Sequence, residues 1–201
     1  MESNETKNRR EQVLEAALNG VEKFLNSYIE DDRVLEYIYE GDVQAALYSS
    51  IKKSLEGHCE FNYKKKWFIN KKLNTKTQTP CLVHCEQHFK GEKDNRIDIV
   101  IWDPTDENAV KDYKYKDLLL LIEIKYCTRS NKKTVRIVKH DYCKLMSLLK
   151  EYQRGLALTF TADKSEKLQQ EGKPIDVCDI LKEKPIQGLV VCRDGIIEIP
   201  I

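Results

Sequence analysis

The sequence predicts an α/β domain in which a mixed central β-sheet is flanked by helices. Three observations predict this class: helical spacing of apolar residues near the N-terminus, short apolar runs in the middle of the chain, and a helix followed by another apolar run after them. The chain has 201 residues, the length of one domain, and 41% of them are hydrophobic, which is enough to form a core.

The first part of the chain is predicted to be helical. Residues 8–28 carry apolar side chains at helical spacing, and two further helical stretches follow over roughly 31–39 and 41–56. We therefore expect an N-terminal helical segment over residues 1–35, packed on the core of a main domain over residues 36–201.

The spacing then changes to that of strands. The candidate strands are residues 81–89, 95–102 and 117–126, followed by a helix over 139–153 and a short buried strand over 155–160. Helices that precede and follow a group of strands favour a mixed sheet.

Polar segments and turns complete the chain. Residues 62–79 are lysine-rich and predict a loop or an exposed hairpin, and residues 103–116 are polar turn material. Two short helices over 164–171 and 176–183 precede a closing hairpin with its turn at 193–195.

Charge and cysteine content indicate the compartment and limit the partners. Charged residues make up 33% of the chain but nearly cancel to +1, so a nucleic-acid partner would need a local basic patch. The N-terminus lacks an apolar signal segment, and the longest apolar run, 118–122, is too short to cross a membrane. Seven scattered cysteines fit reduced thiols. We therefore expect a cytoplasmic protein with no membrane association.

Three charged residues interrupt the most apolar strands. Asp98 lies within "RIDIVIWD", and Glu123 and Lys125 lie within "LLLLIEIKY". A buried charge costs several kcal/mol unless it is paired or bound to a metal. Because strand side chains alternate between faces, Glu123 and Lys125 share one face about 7 Å apart, and a hairpin pairing would bring Asp98 beside Glu123.

This grouping suits metal-assisted phosphodiester hydrolysis. Asp98 and Glu123 offer the hard oxygen ligands that Mg²⁺ or Mn²⁺ prefers, and Lys125 could orient a water and offset charge in the transition state. Taken singly, Asp98 could instead be a strand-end carboxylate, and Glu123 with Lys125 a cross-strand ion pair. Their joint occurrence within long apolar flanks favours a site.

The pattern resembles the PD-(D/E)xK nuclease superfamily, whose motif is an Asp on one core strand and Glu-x-Lys on the next. Ile97 stands where the family name has proline, a departure that many members tolerate. The resemblance covers roughly residues 36–160 and implies a restriction-endonuclease-like core. It assigns Asp98, Glu123 and Lys125 to the active site.

Family members usually carry a glutamate on a helix before the first core strand. Glu40 is our choice for this residue, as a further metal ligand or a support for the metal, with Glu36 and Asp42 as rivals. The resemblance also places Asp141 and Lys144, on the helix after the motif, near the substrate side.

The resemblance implies a Mg²⁺- or Mn²⁺-dependent endonuclease, acting on DNA more than on RNA, in restriction, defence, repair or recombination. A homodimer is implied by analogy, because relatives often cut both strands as dimers. The alternative is a catalytically inactive module that kept the nuclease fold and binds nucleic acid or protein. Cleavage with a divalent metal would distinguish the two.

The lysine-rich segment is a candidate nucleic-acid contact, since an aromatic side chain between lysines could stack on a base. The alternative is a solvated loop that Trp67 and Phe68 anchor to the core. The lysines concerned are Lys64, Lys65, Lys66, Lys71 and Lys72.

A rival metal site lies in "CLVHCEQH", where Cys81, His84, Cys85 and His88 could each bind zinc. The two apolar residues at 82–83, and the position before the Asp98 strand, favour a strand instead. Four ligands within so short a strand would not suit the usual zinc geometry.

Overall fold

The computed structural model describes residues 4–30, 39–56, 69–70, 75–76, 82–88, 96–103, 118–149, 153–182 and 184–201. The α-helices of this part of the chain are α1 (Asn4–Glu30), α2 (Glu40–Ser54) and α3 (Lys132–Leu148). None of these helices is both long and apolar enough to cross a membrane.

Within the described residues, the core is a mixed sheet of seven strands. They are β3 Val83–His88, β4 Arg96–Trp102, β5 Leu118–Cys127, β6 Arg154–Thr161, β7 Lys173–Ile175, β8 Ile186–Cys192 and β9 Gly195–Glu198. Their order in the sheet is β3-β4-β5-β6-β8-β9-β7. Strands β3, β4 and β5 pair antiparallel, β5, β6 and β8 pair parallel, and β8, β9 and β7 pair antiparallel. The predicted α/β class with a mixed, helix-flanked sheet is confirmed.

Helices cover both faces of the sheet. The ring of Phe160 in β6 meets Phe24 and Tyr28 of α1 edge-on, with centroids 5.9 and 5.1 Å away. Gly155 in the same strand lies against Leu145 of α3. Because residues 155 and 160 are an odd number apart on one strand, they face opposite sides. Helix α1 therefore covers one face and α3 the other.

Helix α2 packs closely on α1. A Cβ atom on Gly20 of α1 would lie 2.6 Å from the Cα atom of Ile51 in α2. The Ser50 hydroxyl donates a hydrogen bond of 2.7 Å to the Gly20 carbonyl oxygen. Glycine at position 20 thus sets how closely the two helices approach.

Helix α3 begins and ends earlier than residues 139–153, the range that the sequence predicts. Its start is set by Asn131, whose side-chain oxygen accepts hydrogen bonds from the backbone N–H of Lys133 at 2.8 Å and of Thr134 at 3.3 Å. Leu149, after the last turn, already has extended backbone angles.

The bounds of the other elements differ little from those that the sequence predicts. The predicted strands 95–102 and 117–126 match β4 and β5 within one residue at each end, and the closing hairpin is β8 with β9. The two predicted short helices shrink to 3-10 turns, Ser165–Leu168 and Val177–Asp179, and the edge strand β7 between them was not predicted.

Two predicted segments fall largely outside the described residues. From the lysine-rich segment the structure describes a two-residue pairing of β1 (Ile69–Asn70) with β2 (Thr75–Lys76). Of the polar segment 103–116 it describes Asp103, which is buried and paired with Arg10 of α1. Residues 31–38, predicted as part of a helix, also lie outside the described part.

Candidate active site

The pairing of β4 with β5 brings the motif residues together. Ile99 lies opposite Ile122 in the antiparallel register, so the next pair along the two strands is Asp98 with Glu123. Both carboxylates are on the face covered by α3, and both are buried, with exposed fractions of 7% and 3%. Lys125 follows two residues after Glu123 and so points to the same face.

Asp98 is held by backbone and side-chain groups. Its Oδ2 accepts a hydrogen bond of 2.7 Å from the backbone N–H of Ile124, and the Lys125 Nζ lies 3.7 Å from the same oxygen. Its own carbonyl oxygen accepts a hydrogen bond of 2.9 Å from the Gln44 side chain of α2. These contacts explain how a carboxylate is accommodated in a buried strand.

Lys125 connects β5 to the start of α2. Its Nζ lies 3.2 Å from Glu40 Oε1 and donates a hydrogen bond of 2.7 Å to the Ile124 carbonyl oxygen. Burial alone would lower the pKa of Lys125, but the nearby Asp98 and Glu40 carboxylates outweigh it, and the pKa is raised. Lys125 is therefore a fixed ammonium group.

Glu123 is paired with Lys144 of α3. The Lys144 Nζ lies 2.7 Å from Glu123 Oε1 and donates a second hydrogen bond of 2.7 Å to the Arg96 carbonyl oxygen. Burial raises the pKa of Glu123 to about 7, a shift that Lys144 opposes and the Asp98 carboxylate increases. Glu123 is thus divided between its neutral and charged forms near neutral pH.

Asp141 of α3 adds another carboxylate to this cluster. It is buried, and burial raises its pKa, whereas the charges of Lys125, His140 and Lys144 oppose the shift and Asp98 supports it. Its influence on the pKa of both Glu123 and Lys125 shows that it belongs to the same electrostatic environment.

The structure brings Asp98, Glu123, Lys125 and Glu40 to one place. Of the rivals to Glu40, Asp42 accepts a hydrogen bond of 3.2 Å from the Tyr39 backbone N–H and so caps the start of α2. Glu36 lies outside the described residues. So do the candidate nucleic-acid lysines Lys64, Lys65, Lys66, Lys71 and Lys72.

Sequence reasoning missed two contacts of the site. The hydrogen bond of Gln44 to β4 and the ion pair of Lys144 with Glu123 both depend on how a helix crosses the sheet. Two sequence signals bear on these contacts. Gln44 follows Glu40 at i+4 and so lies on the same face of α2, and Lys144 lies on the helix after the motif.

The rival zinc motif does not form a site within the described residues. His84 and Cys85 are successive residues of β3 and therefore point to opposite faces. The His84 ring lies edge-on to Trp102 at 6.1 Å, and Cys85 packs against the hydrophobic core. Cys81 and the side chain of His88 lie outside the described part of the chain.

The donor chemistry of the site fits a divalent cation of the magnesium type. When all are ionised, the carboxylates of Asp98, Glu123, Asp141 and Glu40 outnumber the ammonium groups of Lys125 and Lys144, so these six side chains together carry net negative charge. Among the described residues, no three His, Cys, Asp or Glu side chains form a complete metal-binding group. Mg²⁺ does not need one, because it is usually held by one or two carboxylates together with waters and substrate phosphate.

Comparison with known proteins identifies no relative. The chain matches no protein-family model, no curated protein and no solved structure. Functional inference therefore depends on the geometry of the site.

Proposed function

We propose that this protein is a Mg²⁺- or Mn²⁺-dependent nuclease that hydrolyses phosphodiester bonds, in DNA more than in RNA. The observation that carries the proposal is the position of Lys125 Nζ, 3.2 Å from Glu40 and 3.7 Å from Asp98, on the strand that also carries the buried Glu123. This is a two-carboxylate-plus-lysine site with a supporting helical glutamate.

The order of elements supports a restriction-endonuclease-like core of the PD-(D/E)xK type. Helix α2 carries the glutamate and precedes β3, the next two strands carry Asp and Glu-x-Lys, and α3 leads to the parallel strand β6. This arrangement is the one that the motif resemblance implies for residues 36–160.

In the proposed site Asp98 and Glu123 would hold the divalent cation, and Glu40 would support it directly or through a water. When bound, such a cation polarises the scissile phosphate and lowers the pKa of a bound water. Burial and the Asp98 charge raise the pKa of Glu123, but Lys144 opposes the rise, so the pKa stays at about 7. A divalent cation bound there would favour the ionised form of Glu123.

Lys125 acts on the nucleophile and on the developing charge. Glu40 and the Ile124 carbonyl oxygen fix its ammonium group, so it can orient a water and offset charge on the phosphate without rearranging. A preorganised donor of this kind typically contributes about 100- to 1,000-fold in rate.

The test is Mn²⁺-dependent cleavage of plasmid, single-stranded DNA and RNA. Wild-type protein should cleave DNA, and the Lys125→Ala and Asp98→Ala variants should each lose at least about 100-fold in rate. Lys167→Ala is the matched control, because Lys167 is likewise ion-paired, at 2.7 Å to Asp163, but outside the cluster. Circular dichroism and thermal unfolding verify that each variant is folded.

Two results would overturn the proposal. One is cleavage that persists in both site variants at the wild-type rate. The other is a folded wild-type protein that binds Mn²⁺ but cleaves none of the three substrates, which would assign the chain to the alternative class of non-catalytic modules that keep the nuclease fold.

A further inference from the structure

The exposed face of α3 carries a concentration of positive charge. The only acidic residue within the helix, Asp141, is buried in the site, and the net charge of the whole chain is only +1. A local excess of this kind is therefore not a consequence of overall composition. We call the exposed basic residues of the helix the basic face; they are Lys132, Lys133, Arg136, Lys139 and His140.

The basic face interacts with one described carboxylate, the buried Asp141, whose charge acts on that of its neighbour His140. Within the described residues, none of its side chains forms an ion pair, whereas Lys167, Lys173 and Lys184 elsewhere on the surface all do. Cationic groups left without counter-charges in one region attract a polyanion.

Part of the basic face leads directly to the candidate active site. Lys133, Arg136 and His140 precede Lys144 at spacings that place all four along one side of the helix. The last of them, Lys144, contacts the buried Glu123 at 2.7 Å. The row extends over about 16 Å at the rise of an α-helix, a length that several phosphates of one DNA strand span.

We propose that the basic face binds the sugar-phosphate backbone of duplex DNA and delivers it to the site at Glu123. The choice of partner rests on the proposed nuclease function. The contacts are made to phosphates, so the surface positions the duplex without reading its sequence.

A membrane surface fits α3 less well than a nucleic acid. A helix that lies on a bilayer needs an exposed apolar face, but Val135, Val138 and Leu145 of α3 are buried in the protein. Met146 is the one large apolar side chain of the helix that is strongly exposed, at 57%. Charge, and not apolar area, is what this face offers.

The test measures binding separately from cleavage. Fluorescence anisotropy with a labelled duplex of about 20 base pairs, in EDTA, gives affinity between about 50 and 200 mM salt. The Lys133→Gln/Arg136→Gln variant should bind more weakly, and the slope of log affinity against log salt should become shallower by about 1.8 for two lost phosphate contacts.

The matched control is Lys52→Gln/Lys53→Gln. These lysines lie in the last turn of α2, at the opposite end from Glu40, and their removal changes the net charge by the same amount. The control should keep the wild-type affinity and slope. Equal losses of duplex affinity in the two variants, or no loss in either, would overturn the inference. It would also be overturned if Lys133→Gln/Arg136→Gln bound vesicles of anionic lipid more weakly while its DNA binding was unchanged.

The outcomes for this surface and for the nuclease proposal are separable. Wild-type cleavage of DNA, with unchanged duplex binding in the Lys133→Gln/Arg136→Gln variant, overturns the inference and leaves the nuclease. Duplex binding that depends on Lys133 and Arg136, without cleavage under any metal, overturns the nuclease and supports the binding surface.

Discussion

Glu123 is the residue whose surroundings determine most of the chemistry of the site. It is almost completely buried, lies next in register to Asp98, and is partly compensated by Lys144 at 2.7 Å. Its pKa of about 7 in the folded protein compares with 4.5 for the free side chain. A carboxyl group with these properties accepts a cation without a large penalty for ionisation.

The raised pKa of Glu123 predicts how stability depends on pH. Between pH 4.5 and about 7 the folded state binds more protons at this residue than the unfolded state does, so its contribution becomes less favourable as pH rises through this window. The loss is at most about 3 kcal/mol.

The Glu123→Gln variant should remove that dependence. Urea unfolding in EDTA at pH 5 and pH 8 measures this. The free energy of unfolding of the variant minus that of wild type should be larger at pH 8 than at pH 5. A difference between variant and wild type that stays constant, or that changes in the opposite direction, would contradict the burial and pairing described for Glu123.

Lys144 is predicted to hold the Glu123 pKa down. The Lys144→Met variant loses the ammonium group but keeps much of the side-chain volume, so the pKa of Glu123 should rise further. Carbon-detected NMR titration of the Glu123 carboxyl group in metal-free protein measures this directly. An unchanged Glu123 titration in a folded variant would show that the two groups do not interact in solution.

At the residue scale, sequence predicted the members of the cluster better than their contacts. The two-residue period of strands was sufficient to place Glu123 and Lys125 on one face and Asp98 beside them. The sequence did not predict the ion pair of Glu123 with Lys144, because this contact depends on the angle at which α3 crosses the sheet.

At the scale of elements, the contact between α1 and α2 determines where Glu40 lies. Gly20 approaches the backbone of Ile51 so closely that an added methyl group would lie 2.6 Å from its Cα atom. The backbone of α2 cannot move aside without shifting the helix that carries Glu40 and Gln44.

A pair of glycine substitutions tests this packing. Gly20→Ala should destabilise the protein by about 1–3 kcal/mol, because the methyl group overpacks against backbone. Gly41→Ala in α2 should instead be neutral or stabilising by up to about 1 kcal/mol, because nothing lies within 4 Å of the new Cβ atom. Urea unfolding measures both, and equal effects of the two substitutions would contradict the close approach of the helices.

Sequence predicted the buried elements well and the peripheral ones poorly. Strands β4 and β5 are almost continuously buried and therefore give long apolar runs that mark their bounds. Helix α3 begins in a polar, basic stretch whose start is fixed by the Asn131 cap, and β7 has only three residues, two of them exposed. Short or polar elements of this kind give no periodic signal.

At the scale of the whole molecule, α1 and the sheet share one hydrophobic core. Buried residues of α1, including Ala17, Val21 and Leu25, belong to the same cluster as Ile122 of β5 and Leu156 of β6. The predicted N-terminal helical segment therefore contributes to the core that also supports the site.

This shared core predicts cooperative unfolding. Calorimetry should show one transition whose calorimetric and van't Hoff enthalpies agree, because α1 cannot separate without exposing the apolar face of the sheet. Tryptophan fluorescence and far-ultraviolet circular dichroism should report the same midpoint. Two resolved transitions would indicate that α1 is a separate unit.

The distribution of charge is also a property of the whole molecule. Positive and negative residues nearly cancel over the chain, but carboxylates converge inside the site and basic side chains lie along the exposed face of α3. The proposed partners, a polyanion and a divalent cation, would each complement one of these two regions.

The central claim is that Asp98 and Glu123 hold one divalent cation beside Lys125. Anomalous diffraction from a crystal soaked in Mn²⁺ tests it most directly. The account predicts a manganese peak in contact with both carboxylates and with the Lys125 ammonium group nearby, and no peak in the Asp98→Ala variant. A peak elsewhere, or no peak while Lys144 still pairs with Glu123 at saturating Mn²⁺, would contradict it.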